Sequence, residues 1–255
     1  MTLSITPLLQ IPLIRPGDDL TEILLNSLPA AHLTIEDSDI FVLAHKIVSK
    51  AENRLVNLNK VKPSEKARTV AQEAGKDPRL VELILRESKE LVRVRPGTII
   101  AEHKLGFLCA NAGIDHSNVQ GEGGNPEDWV LLLPENPDQS ALAIRRKIKL
   151  LTGHRVGVLI IDSHGRAWRE GAVGTTIGLS GIPGIVDRRG WKDLFGYQLR
   201  VTTIAAADEL AGAASLVMGE AAEKIPAVHA RGFPYPLAEG SLGEIIRPKE
   251  KDLFR

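Results

Sequence analysis

The sequence predicts an α+β fold in which mixed or antiparallel sheets carry flanking helices. Two observations lead there. Short apolar runs at 98–101, 106–110 and 129–133 follow one another with no helical segment between them. Capped, amphipathic segments alternate with the remaining apolar runs only irregularly, which argues against a regular doubly wound sheet.

Taken in order, Pro16-Gly17-Asp18 opens a helix whose residues Leu20, Ile23, Leu24 and Leu28 share one face, with Asp18 as its expected N-cap. Residues 40–44 are apolar and follow Asp37-Ser38-Asp39, so a short buried strand is expected, running into His45-Lys46-Ile47-Val48-Ser49-Lys50. Residues 63–74 read as a polar, exposed helix. Asp77-Pro78 then joins a capping carboxylate to a proline at the first helical position, and Leu80, Leu83, Ile84 and Leu91 form that helix's stripe. After the three strand-like runs and the flexible loop Gln120–Pro126, Pro137 opens a helix through Ala141, Ile144, Ile148 and Leu151 to a stop at Gly153. Residues 155–161 form a strong strand ending at Asp162. The glycine-rich stretch 171–190 reads as loops and short strands, and 199–204 as a strand. Alanine-rich 205–218 is a helix closing at Gly219, and 226–231 is a final strand.

The 255 residues suit a single domain, 1–255, with room for two subdomains parting near the glycines at Gly121. Lys+Arg and Asp+Glu both total 32, so no basic excess points to nucleic acid or an anionic membrane. No apolar run approaches the roughly 20 residues that span a bilayer, and no Lys/Arg-led signal sequence is expected. The single cysteine, Cys109, has no intrachain partner and lies in an apolar run. A reduced, cytoplasmic setting and a buried, inert thiol are expected.

One stretch is odd for a globular chain. The apolar run 106–110 gives way to Asn111-Ala112-Gly113-Ile114 and then to Asp115-His116-Ser117-Asn118. Asp115 follows one strand, Asp162 ends another, and Glu220 follows the helix that closes at Gly219. Ser163 and Asn118 add an oxygen and an amide. Oxygen donors of this kind suit Mg²⁺ or Mn²⁺ better than zinc, and the seven scattered histidines offer no paired zinc motif. Taken one at a time, each acid reads as a solvated turn residue rather than a ligand. His116 and His164 read as surface turn residues. The chain has no GxxxxGK[ST] and no GxGxxG after a strand. Lys46 and Lys50, four apart, share a face if their segment is helical, and such cations repel unless an anion or acid lies between them.

The ordered set of motifs resembles one family. It comprises Ile11-Pro12-Leu13-Ile14 with Pro16-Gly17-Asp18-Asp19-Leu20, then His45-Lys46-Ile47-Val48-Ser49-Lys50-Ala51-Glu52 and Asp77-Pro78-Arg79-Leu80-Val81. Cys109-Ala110-Asn111-Ala112-Gly113-Ile114-Asp115 with Ser117-Asn118 follows, then Asp162-Ser163 with Gly165-Arg166-Ala167-Trp168-Arg169. Ala207-Asp208-Glu209-Leu210 and Leu216-Val217-Met218-Gly219 complete it. Together these are similar to the coenzyme F420-0:L-glutamate ligase (gamma-glutamyl ligase) family, from about Ile5 to about Gly232.

The resemblance implies a GTP-dependent, amide-forming enzyme with a family-specific α+β fold in an intertwined homodimer. Its substrates would be GTP, L-glutamate and coenzyme F420-0, with further γ-linked glutamates added later and GDP and phosphate released. It implies two divalent ions, Mg²⁺ or Mn²⁺, and stimulation by K⁺. By position, Asp115, Asp162, Ser163 and Glu220 match metal ligands. Ile11, Pro12, Leu13, Ile14, His45, Lys46, Lys50, Asn118, Met218, Gly219 and Ala221 match GTP contacts. Two departures stand out: Ser163 where threonine is usual, and Glu220 where glutamine is often found. The fused flavin-reductase-like domain of some relatives is expected to be absent. The residue types leave open a metal-dependent phosphohydrolase, a non-catalytic nucleotide binder, and the same ligation on another acceptor. They name no general base for the incoming amine, and the glycine-rich segment 171–190, with Trp191 close after, reads equally as a wall for a flat acceptor ring and as a structural loop.

Overall fold

The structure, a computed structural model, describes residues 2–252. Along the chain run β1 (Ser4–Pro7), α1 (Leu20–Ser27), β2 (Ile40–Ala44), α2 (His45–Ala51), β3 (Leu55–Asn57), α3 (Glu65–Ala74) and α4 (Pro78–Glu87). Next come β4 (Ser88–Arg95), β5 (Thr98–His103), β6 (Leu108–Ala110), β7 (Trp129–Leu131), α5 (Pro137–Thr152), β8 (Gly157–Arg166) and β9 (Arg169–Ser180). β10 (Val186–Asp187), β11 (Thr203–Ile204), α6 (Ala206–Met218), β12 (Ala227–Arg231) and α7 (Leu242–Ile245) complete the chain.

The α+β expectation holds. A mixed five-stranded sheet has the order β1-β12-β2-β8-β9, in which β2 and β8 are parallel and the other pairs antiparallel. β4-β5-β6, β3-β7 and β10-β11 form smaller antiparallel sheets. The central strands are apolar on both faces because both are covered. Phe41, Leu43, Val158 and Ile160 pack with Leu24, Ile144 and Ile148 of α1 and α5. Their neighbours Ile40, Val42, Leu159 and Ile161 pack with Leu210, Ala211 and Ala214 of α6. A second core joins α3, α4 and the β4-β5-β6 sheet, and it contains both Ile114 and Val130. Those two residues flank the glycine-rich loop.

Several expectations need correction. Asp19, not Asp18, caps α1, accepting from Thr21 N and Glu22 N, while Asp18 accepts from Arg15 N at 2.7 Å. β1 and β4 were not expected, and Leu91 belongs to β4 rather than to the stripe of α4. Of 199–204, only Thr203–Ile204 is strand. The largest difference is β9, a twelve-residue strand through 169–180, where glycine content suggests loops. Glycine is present there because helices press against the strand. A Cβ at Gly174 would meet Ala211 O of α6 at 2.5 Å, and one at Gly178 would strike Pro137 at the start of α5. β8 likewise does not end at Asp162; it continues to Arg166, paired with β9.

Candidate active site

The parallel β2–β8 pair sets the site. Ala44 is in register with Ile161, so His45 at the start of α2 and Asp162 of β8 come side by side one residue further on. The third segment arrives after β6. Asn111, Ala112 and Gly113 all have positive φ, 51°, 53° and 65°, a left-handed turn for which asparagine and glycine are suited. That turn redirects the chain so that Asp115 pairs with β7, its N–H donating to Leu131 O and its carbonyl accepting from Leu131 N. The polar run after the apolar strand is therefore a turn that delivers a carboxylate.

Three side chains meet there. His45 Nε2 lies 2.9 Å from Asp115 Oδ2 and 3.3 Å from Asp162 Oδ1. Donor atoms of all three fall within 4.8 Å of one another. Burial alone would discharge the His45 ring, but the charge of Asp162 and the hydrogen bonds the ring donates to the carboxylates outweigh it and raise its pKa to about 9. Burial works in the opposite sense on Asp162; the charge of His45 and the hydrogen bond with His164 overcome it, so the carboxyl titrates well below the usual range. His164 Nε2 stands 2.9 Å from Asp162 Oδ2. It is not the surface turn residue expected, because β8 continues past Asp162 and puts residue i+2 on the same face.

The other expected ligands adjoin this set. Ser163 N–H donates to Asp162 Oδ1 at 2.7 Å, and its hydroxyl donates to Glu220 Oε1 at 2.7 Å. Glu220 is thus one link away, outside the group within 4.8 Å. Lys46 Nζ reaches Ser117 Oγ at 2.9 Å, Ser117 O at 3.1 Å and Asp115 Oδ2 at 3.3 Å. Lys50 Nζ donates to Asn118 O at 2.7 Å, and Asn118 Nδ2 to Ala221 O at 2.9 Å. Both cations of α2 therefore face one loop; Asp115 pairs with Lys46, while the Asn118 carbonyl holds Lys50. Burial and the nearby Lys46 charge lower the Lys50 pKa.

Not every expected nucleotide contact lies open. His45 is 2% exposed and engaged at both nitrogens, with Ser49 Oγ 3.3 Å from Nδ1, so its ring serves the carboxylates. Met218, the last residue of α6, is buried in the core, leaving half-buried Gly219 and exposed Ala221 in the turn that follows. Ile11, Pro12, Leu13 and Ile14 lie between two backbone anchors, Leu8 N to Ala227 O and Gly17 N to Ala51 O beside α2. In that segment Ile14 is buried and Leu13 fully outside. Burial, and then the charge of Asp162, push the Cys109 thiol up to about 12, as expected of an inert cysteine.

The donor set fits a hard divalent cation. Two carboxylates converge, with a hydroxyl and a third carboxylate adjoining, and sulfur takes no part. A site of this kind can screen an anionic substrate, with the α2 lysines adding fixed positive charge.

Comparison with known proteins gives a consistent result. The family model described as F420-0:Gamma-glutamyl ligase matches residues 8–232. The chain is 46% identical over 258 residues to a coenzyme F420:L-glutamate ligase of Methanopyrus kandleri, covering 100% of this chain and 98% of that one. It is 47% identical over 249 residues to the protein of the same name from Methanocaldococcus jannaschii, covering 97% and 95%. With that of Methanothermobacter thermautotrophicus it shares 44% identity over 257 residues and the full length of both chains.

Proposed function

The chain belongs to the F420-0:Gamma-glutamyl ligase family, and from that premise we propose that it joins L-glutamate in amide linkage to the lactyl carboxylate of coenzyme F420-0, at the expense of GTP. The observation that carries the reading is the meeting of Asp115 and Asp162 around His45, with Lys46 and Lys50 beside them. The acceptor carboxylate attacks the γ-phosphorus, forming an acyl phosphate and expelling GDP. The glutamate amine then attacks the acyl carbon, losing a proton as phosphate leaves. The same chemistry adds γ-linked glutamates afterwards.

Both partners in the first step are anions, so their repulsion must be reduced. Asp115, Asp162, Ser163 and Glu220 would hold one or two Mg²⁺ or Mn²⁺ ions, which supply charge neutralisation and polarise phosphoryl oxygen. Lys46 and Lys50 act as point charges for phosphate oxygens. Asn118, Gly219, Ala221 and the segment Ile11–Ile14 border the nucleotide. His45 keeps the two carboxylates together, and K⁺ stimulates turnover. The working enzyme is a homodimer in the cytoplasm. The surface suited to a second copy is the loop between β10 and β11, where Leu194 is 97% and Phe195 94% exposed.

The test is a product analysis. Incubation with coenzyme F420-0, GTP, Mg²⁺ and L-glutamate should give an acceptor heavier by one or more glutamyl units, and omission of any component should abolish it. Phosphate release from GTP without glutamate, and with no heavier product, would instead mark a phosphohydrolase.

A further inference from the structure

A cleft of about 260 Å³ opens beside the acid cluster. His164 belongs to both: it lines the cleft and touches Asp162. One wall is apolar, with Phe107 and, from the C-terminal segment, Ile245; Phe107 packs against His164 at 5.2 Å between ring centres. The cleft is also lined by polar groups, Asp252 among them. Thr176 of β9 and Asp208 of α6 line it, with the Asp208 carboxylate accepting from Thr176 N–H at 2.9 Å, and Arg247 adds a cation.

One detail marks this as a site rather than a packing fault. Thr176 is 5% exposed and its Oγ1 has no hydrogen-bond partner among the described residues. A buried hydroxyl without a partner is unfavourable, and valine in its place would pack the same shape without that penalty. A threonine held here, its backbone fixed by Asp208, has its hydroxyl ready for a polar atom brought in from outside.

The geometry points to this cleft as the subsite for the body of the carboxylic-acid acceptor: a largely apolar group bearing hydrogen-bonding atoms, seated against Phe107 and Ile245 with Thr176 Oγ1 on its polar edge. Arg247 faces an anionic part of the same molecule. This rests on the ligase reading, since it gives that reaction's third substrate a place next to Asp162. A pocket with apolar walls and few convergent polar groups is the usual form of a small-molecule site. The nucleotide-side residues Lys46, Lys50, Asn118, Gly219 and Ala221 take no part in it.

The test uses the full-length chain with Mg²⁺, GTP, L-glutamate and coenzyme F420-0, together with calorimetric titration of the acceptor alone. Thr176→Val should weaken acceptor binding about fivefold, the worth of one hydrogen bond, and raise the KM for acceptor by a similar factor. Arg247→Gln should do the same. The KM values for GTP and glutamate should not move. The melting temperature of Thr176→Val should equal or exceed that of the wild type, which a merely structural threonine would not allow. An active wild type whose variants keep its acceptor affinity and KM overturns the cleft. A wild type that forms no amide overturns the ligase reading instead, and weakened acceptor binding by the variants would still uphold the cleft.

Discussion

Burial would strip His45 of its proton, yet Asp162 and Asp115 hold it charged, with its pKa raised to about 9. The two carboxylates are therefore kept close by a cation the protein supplies. Asp115 is the better position to test, being more exposed than Asp162 (28% against 11%) and bound through its backbone to Leu131. Asp115→Asn should lower glutamate-dependent GDP release at least about a hundredfold, about 2.7 kcal/mol of transition-state stabilisation, with little change in melting temperature. Near wild-type turnover would remove Asp115 from the metal site. The turn before it gives a second prediction. Gly113 has φ +65°, and a Cβ there would meet Leu133 Cδ1 at 2.7 Å. Gly113→Ala should destabilise the fold by about 2 kcal/mol in urea unfolding and weaken activity by shifting Asp115; a variant as stable as wild type would contradict the strain. At this scale the acids were visible in the sequence as residue types. The roles of His45 and His164 were not, because only their neighbours across the sheet give them carboxylates to hold.

Elements were legible in proportion to how local their signals are. α4 and α5 were found from caps and stripes: Asp77 with Pro78, and Pro137 with a closing Gly153 at φ +80°. Those signals are completed within a few residues. β9 was missed because its glycines answer to helices far along the chain. Gly174 sits opposite Ser163 in the β8–β9 register, and its N–H donates to Ser215 Oγ of α6 at 3.1 Å. Gly174→Ala should therefore push α6 from the strand, costing about 2 kcal/mol by overpacking. It should also reduce activity, since α6 leads into Gly219 and Glu220. Unchanged unfolding in urea would show that the helix moves aside freely. β4 was missed for a related reason: half of Ser88–Arg95 is exposed and none of it fully buried, so its edge position leaves it without a buried run to read.

At the scale of the molecule, acid stability reports on the second core. His103 is 3% exposed, and its pKa is lowered to about 4, first by burial and then by the charges of Lys104 and Arg54. Glu87 lies 3.9 Å from its Nε2 but is already shared by Arg54 and Lys104. The ordinary value is 6.5, so between pH 6.5 and 4 the unfolded chain takes up a proton that the folded chain refuses. Stability is thus full above 6.5 and falls with pH across that window, by about 3 kcal/mol. His103→Asn, which keeps an acceptor for the Leu105 N–H, should flatten that fall; parallel curves would exclude His103 as its source. Sedimentation tests the proposed dimer: the chain should run at twice its 27.7 kDa mass, and Leu194→Glu with Phe195→Glu should return it to one. Among the described residues no helix is long and apolar enough to cross a membrane. By itself the sequence determined the mixed α+β class, most helix limits and the burial of Cys109, because periodicity, capping and side-chain chemistry act over a few residues. The tertiary structure decided which donors meet. Asp115 and Asp162 are held together by a parallel strand pair and a left-handed turn, Glu220 stands one hydroxyl away, and Thr176 lines the cleft, since strand register and helix packing join residues that no local pattern connects.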